Sequence, residues 1–130
     1  MYVKKLIEKA KKARENAYAP YSNFKVGAAI LTEDGDVYTG VNVENASFGL
    51  TICAERVALF KAVSDGKRSF KAVAVVADTE EPIPPCGACR QVLSEFGDME
   101  VIMANLKGSV KITRLKDLLP DSFKFEEERK

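Results

Sequence analysis

The sequence predicts an α/β fold of three layers, α/β/α, with a mixed sheet of roughly five strands and a single domain over residues 1–130. Three observations lead there. A helical apolar repeat opens the chain, a hairpin pattern follows it, and helix and strand signals then alternate around one strand that is almost wholly apolar. A chain of 130 residues buries roughly two thirds of its unfolded surface, enough for a core without disulfides.

Val3, Leu6, Ile7, Ala10, Ala13 and Ala17 recur at helical spacing, so residues 1–18 read as an amphipathic helix that stops before Pro20. Residues 25–31 and 37–43 are β-rich and flank Glu33-Asp34-Gly35-Asp36, where Asp-Gly supplies the positive φ angles of a tight hairpin turn. Residues 53–63 return to helical spacing and end near Ser64-Asp65-Gly66. Residues 70–77 are nearly all apolar and rich in Val, the mark of a strand covered on both faces. After a proline-bearing loop over 78–85, residues 87–96 read as a third helix, 101–104 and 110–113 as strands, and 115–119 as a helical turn before Pro120. Residues 126–130 read as a solvated tail.

Composition narrows the function. Twenty Lys plus Arg stand against 19 Asp plus Glu, a net charge of +1, which provides no global field for nucleic acid or an anionic membrane. No segment has the length of a membrane span or the pattern of a secretory signal, so the expectation is a soluble cytoplasmic protein. The chain has no His, which removes every mechanism that needs an imidazole base and restricts any zinc site to thiolate and carboxylate. Three Cys, an odd number in a reducing compartment, point to metal or catalysis over cross-links.

All three cysteines fall where a helix begins. Cys86 and Cys89, in Pro85-Cys86-Gly87-Ala88-Cys89, lie at i and i+3 on one starting turn, so their sulfurs can converge on one ion. Cys53 opens the preceding helix in Cys53-Ala54-Glu55-Arg56. If the intervening strands run parallel, both helix starts share the carboxyl rim of the sheet. Three protein ligands leave a fourth position on zinc for water, the pattern of a catalytic site. Glu55 can accept that water's proton, provided Cys53 and Glu55 flank the very end of the helix, because i and i+2 otherwise point apart. Arg56, at i+3 from Cys53, could donate to the cysteine sulfurs and drain charge from them.

Cys53-Ala54-Glu55 followed by Pro85-Cys86-Gly87-Ala88-Cys89 resembles the zinc-dependent nucleoside and nucleobase deaminases. The segments 19–29 (Ala-Pro-Tyr-Ser-Asn-Phe-Lys-Val-Gly-Ala-Ala) and 40–47 (Gly-Val-Asn-Val-Glu-Asn-Ala-Ser), with Leu118-Leu119-Pro120 to Phe123, are similar to the small homotetrameric cytidine deaminases over essentially the whole chain. The resemblance implies a cytidine deaminase-like fold and one Zn2+ per subunit, held by Cys53, Cys86 and Cys89, with Glu55 as the proton carrier in attack on C4 of the pyrimidine. It implies hydrolysis of cytidine and deoxycytidine to uridine and deoxyuridine with loss of ammonia, as in pyrimidine salvage. Asn42 and Glu44 match ribose-binding positions, and Phe24 and Ala54 match substrate contacts. Ala46, Phe48 and Phe123 match positions that complete the pocket across subunits of a homotetramer. Many relatives carry Tyr where this chain has Phe48.

Plainer readings stand beside these. Cys86-Gly87-Ala88-Cys89 alone also fits a thioredoxin-like redox pair, which leaves Cys53 and Glu55 without a role. Phe24 and Phe48 on residue type alone read as packing aromatics. A deaminase of a cytosine-containing antibiotic would keep the same zinc ligands. No basic run with interleaved aromatics marks a polynucleotide channel, so a free nucleoside is the expected substrate.

Overall fold

The computed structural model describes residues 2–125. Its elements are α1 (Tyr2–Arg14), β1 (Val26–Thr32), β2 (Val37–Val41), a 3-10 turn (Phe48–Leu50), α2 (Ala54–Ser64), β3 (Phe70–Ala77), α3 (Gly87–Ser94), β4 (Glu100–Asn105), β5 (Val110–Arg114) and α4 (Leu115–Leu118). The five strands form one mixed sheet in the order β2-β1-β3-β4-β5. β1 pairs antiparallel with both β2 and β3, β3 runs parallel to β4, and β5 returns antiparallel to β4. β2, β3 and β4 therefore all point the same way. α2 follows β2 and α3 follows β3, so both helices start at the same carboxyl rim.

Two apolar clusters lie on opposite faces of the sheet and make it the middle of three layers. On one face Leu6 and Ala10 of α1 pack on Ala29, Leu31, Ala72, Ala74, Val76, Ile102 and Ala104. On the other Ala54, Ala58, Leu59 and Ala62 of α2, with Leu93 and Leu115, cover Ala28, Ile30, Val73, Val75, Val101 and Met103. Strand alternation sorts β3 between the two clusters, which is why nearly every residue of that strand is apolar.

Two glycines let the helices come close. A methyl group on Gly27 would sit 2.0 Å from the Ala10 carbonyl oxygen of α1, and one on Gly40 would sit 2.5 Å from the Ala54 carbonyl oxygen and 2.4 Å from the Ala58 nitrogen of α2. A Cβ has no room at either place. Gly40 thereby sets how deeply the first turn of α2, which carries the candidate chemistry, sinks onto the sheet.

Several boundaries differ from the sequence reading. Helix α1 ends at Arg14, four residues short, because Tyr18 joins the sheet margin instead: its N–H donates to the Asn42 carbonyl at 3.0 Å, and its carbonyl accepts from the Glu44 N–H at 2.9 Å. β2 stops at Val41, and Val43 pairs separately with Tyr18 and Ile52. The hairpin carries positive φ at Gly35 alone (97°) and not at Asp34. Its Gly35 N–H donates to the Thr32 carbonyl at 3.1 Å, and Thr32 N–H to the Asp36 carbonyl at 2.8 Å, a three-residue loop in which the glycine takes the left-handed position. α3 ends at Ser94 ahead of the turn to Gly97. The solvated tail expected at 126–130 lies outside the described residues.

Candidate metal centre and substrate cleft

The three cysteines meet at the rim where α2 and α3 begin. Cys53 is the N-cap of α2 and Cys86 the N-cap of α3; both have extended backbone there, and the Cys86 sulfur accepts from the Cys89 N–H at 3.4 Å. The Cys53 and Cys86 sulfurs lie 3.7 Å apart, those of Cys86 and Cys89 3.4 Å, and all three fall within 4.8 Å of one another. None is in a disulfide. Zinc–sulfur bonds of about 2.3 Å at tetrahedral angles put two sulfurs about 3.8 Å apart, so this triangle already has nearly the span of a zinc cradle. The residues fit the ion.

Electrostatics at the cluster favour the ionised form of one thiol. Hydrogen bonding from Cys89, with further help from Arg56 and Cys86, lowers the Cys53 thiol to about 5 against the opposing cost of burial. Cys89, as donor to that thiolate and as a buried group, is pushed up. The helix N-termini add partial positive charge at the same place.

Glu55 is the second residue of α2 and is only 4% exposed. Because Cys53 caps the helix with non-helical dihedrals (φ −75°, ψ 156°), the condition set by the i, i+2 spacing is met: the pair straddles the helix end. Burial above all, and the nearby Cys53 charge, push the Glu55 carboxyl up to about 7, while its own main-chain N–H and Arg56 pull the other way. Arg56 directs Nη2 to the Cys53 sulfur at 3.5 Å, and its Nε is buried with no hydrogen-bond partner among the described residues. Arg90 braces the same rim from behind, donating to the Pro85 carbonyl and the Leu118 carbonyl, each at 2.8 Å.

Beside the bridge that pairs Val43 with Ile52, the residue before Cys53, the segment 21–24 folds around Glu44. The Glu44 carboxylate accepts from the Tyr21 N–H at 2.9 Å, the Ser22 N–H at 3.1 Å and the Ser22 hydroxyl. Asn42, mostly buried, is a bracket: its Oδ1 accepts from Val26 N–H at 2.9 Å and its Nδ2 donates to the Phe24 carbonyl at 2.8 Å. Tyr21, Ser22, Glu44, Phe48 and Thr51 line a cleft of about 320 Å³, with Tyr21 and Phe48 edge to face at 5.8 Å. Ala54 is wholly buried in the core between Cys53 and Glu55, 0% exposed as a residue. Ala46 is exposed, and Phe48 and Phe123 are 73% and 68% exposed, although the Phe123 carbonyl is held by Gln91 at 3.1 Å.

Residues 2–105 match the family described as the cytidine and deoxycytidylate deaminase zinc-binding region. The chain belongs to that family. A cytidine deaminase of Sporosarcina psychrophila is 60% identical over 129 residues, 98% of this chain and 95% of the relative. One from Halalkalibacterium halodurans is 56% identical over 124 residues, 94% of each chain. The crystal structure of cytidine deaminase from Burkholderia pseudomallei superposes with a TM-score of 0.90 at 60% identity, covering 92% of this chain and 98% of that one. Family membership accounts for a zinc cradle at a helix rim and for the shared fold.

Within this deaminase fold, Tyr21, Ser22 and Thr51 are the cleft residues that sequence reasoning left without a role. Ser22-Asn23 carries a turn signal, and Asn23 does take positive φ (59°). The partner of Ser22, however, lies 22 positions away, and no local pattern announces that.

Proposed function

We propose that the chain, as one domain over residues 1–130, catalyses hydrolytic deamination of cytidine and deoxycytidine to uridine and deoxyuridine with release of ammonia. The observation that carries the reading is the triangle of free sulfurs at helix starts with a buried carboxyl beside it. Cys53, Cys86 and Cys89 hold the ion, one Zn2+ per subunit. When bound, zinc in such a site supplies Lewis acidity that makes water nucleophilic near neutral pH. Glu55 would accept a proton of the attacking water and deliver it to N3 of the ring, then carry the proton of the new C4 hydroxyl to the exocyclic nitrogen as the C4–N bond breaks, leaving the 4-oxo product and ammonia. A carboxyl buried at the start of α2, beside the three sulfurs, is placed both to take and to return a proton there.

Glu44 and Asn42 face the sugar, Phe24 flanks the base, and Ala54, between Cys53 and Glu55, borders the substrate site. Ala46, Phe48 and Phe123 complete the pocket of a neighbouring subunit in a homotetramer. The exposure of both phenylalanine rings in a single chain supports that assembly, since an isolated pocket would waste them on water. The reading places the enzyme in pyrimidine salvage in the cytoplasm, acting on free nucleosides and not on nucleic acid; no described helix is long and apolar enough to cross a membrane. Identities of 56% and 60% to chains named cytidine deaminase favour a nucleoside over a cytosine-containing antibiotic, and the third sulfur disfavours a redox dithiol.

Ultraviolet assays of metal-analysed protein against cytidine, deoxycytidine, their 5′-monophosphates and a cytosine-containing antibiotic test the reading. Turnover of the two nucleosides, with zinc near one per chain, is the expected result. Turnover of the antibiotic alone, or protein free of zinc when purified without chelator, refutes it.

A further inference from the structure

We propose that Ser22 is a positioning residue for sugar recognition: its hydroxyl orients the Glu44 carboxylate so that a single acceptor site remains for one ribose hydroxyl. This rests on the nucleoside deaminase reading above and assigns a part of that site which the zinc-motif resemblance leaves open.

The argument is a count of lone pairs. Glu44 Oε1 already accepts two main-chain N–H groups, from Tyr21 at 2.9 Å and Ser22 at 3.1 Å, which fills both its in-plane acceptor positions. Oε2 accepts the Ser22 hydroxyl and keeps one position. The carboxylate therefore cannot rotate without breaking three hydrogen bonds, and the one acceptor position left is on Oε2 of a residue that lines the cleft with Tyr21, Phe48 and Thr51. Hydrogen bonds from this loop also hold the Glu44 carboxyl below its ordinary range, the Ser22 hydroxyl foremost. Being ionised makes it the stronger acceptor for a sugar hydroxyl.

Ser22 serves a second group at once. Its oxygen accepts the Phe24 N–H at 3.0 Å, while the Phe24 carbonyl is held by Asn42 at 2.8 Å. The left-handed conformation of Asn23 (φ 59°) turns the chain between them. One hydroxyl thus links the acid that would meet the sugar to the aromatic residue that would flank the base. Alanine at position 22 keeps the two main-chain donors to Oε1 and frees Oε2 to reorient, whereas threonine keeps the hydroxyl.

The test compares the wild type with Ser22→Ala and Ser22→Thr, each checked for zinc content and thermal melting. Three quantities are read: kcat/KM for cytidine, and competitive inhibition constants for uridine and for 2′,3′-dideoxyuridine, which lacks both ring hydroxyls that the proposal has Glu44 accept from and keeps only the 5′-hydroxyl. For Ser22→Ala the expected result is a loss of about tenfold in kcat/KM for cytidine and a similar weakening of uridine, with dideoxyuridine unchanged. Ser22→Thr should return both to within about threefold of the wild type. Equal weakening of uridine and dideoxyuridine, no weakening of either, failure of threonine to rescue, or loss of zinc and melting temperature that carries all ligands down together would each overturn the assignment. Wild-type turnover of cytidine in the same experiment tests the parent reading separately.

Discussion

Arg56 holds a guanidinium against the Cys53 sulfur at 3.5 Å while its Nε stays buried and unpartnered among the described residues. An unpaired buried donor normally costs about 1–3 kcal/mol, so a side chain kept in that position needs a compensating gain. The gain on offer is charge: three thiolates around a divalent ion carry a net charge of minus one, and a cation at the sulfurs spreads it. With Arg56→Gln we expect zinc to stay bound and the pH profile of turnover to move to higher pH, measured by steady-state rates across pH beside metal analysis. An unchanged profile would mean that Arg56 only packs there. Glu55 and Arg56 are neighbours in sequence on which the same thiolate cluster acts in opposite senses: it adds to the burial that raises the Glu55 carboxyl, and it stabilises the Arg56 cation against burial.

The first turn of α2 places Cys53 and Glu55, and the packing of α2 on β2 fixes the depth of that turn. Gly40→Ala would force a methyl to within 2.4 Å of the Ala58 nitrogen, so α2 must lift; overpacking of this kind costs about 1–3 kcal/mol or more. Chemical denaturation should register that loss, and zinc affinity should fall with it. Helix α4 offers an acid-sensitive contrast. Its N-cap, Arg114, makes no side-chain cap; Asp98 takes that role from a distance by accepting the Lys116 N–H at 3.0 Å and Arg114 Nε at 3.1 Å. Partial burial raises the Asp98 carboxyl, but these donors outweigh it and hold it below the usual carboxylate range. A depressed folded pKa means that the stabilisation is fully present above the unfolded value near 4 and disappears as pH falls through the lower folded value. Asp98→Ala should therefore cost about 1 kcal/mol at neutral pH, as loss of a cap does, and flatten acid unfolding followed by circular dichroism. These devices also mark what sequence reading reaches. The helix starts at Cys53 and Cys86, the apolar β3 and the Asp-Gly turn are local patterns, and each is readable from spacing. Gly27 and Gly40 beneath helices, Tyr18 leaving α1 to pair with Val43, Asn42 bracketing Phe24, and Ser22 holding Glu44 join residues well apart in sequence. Their signals exist only once the sheet is formed.

Taken as one molecule, the chain leaves two large rings in solvent, Phe48 on the cleft lining and Phe123 beside Gln91 of α3. If those rings close neighbouring sites, two different inactive chains should complement each other. Glu55→Gln subunits mixed with Phe123→Ala subunits, dissociated and reassembled, should recover measurable turnover at sites that combine an intact Glu55 with an intact Phe123. Recovery no greater than the sum of the separate proteins would show each site to be self-contained. The proposed centre depends on a division of labour in which three sulfurs would hold the ion and Glu55 would move protons without binding it. Zinc content and turnover of Glu55→Gln, measured on the same preparation, test that most directly. We expect zinc near one per chain with kcat lower by about 10²–10⁴-fold. Loss of the ion, which would make Glu55 a fourth ligand, or retention of near wild-type turnover would contradict the account.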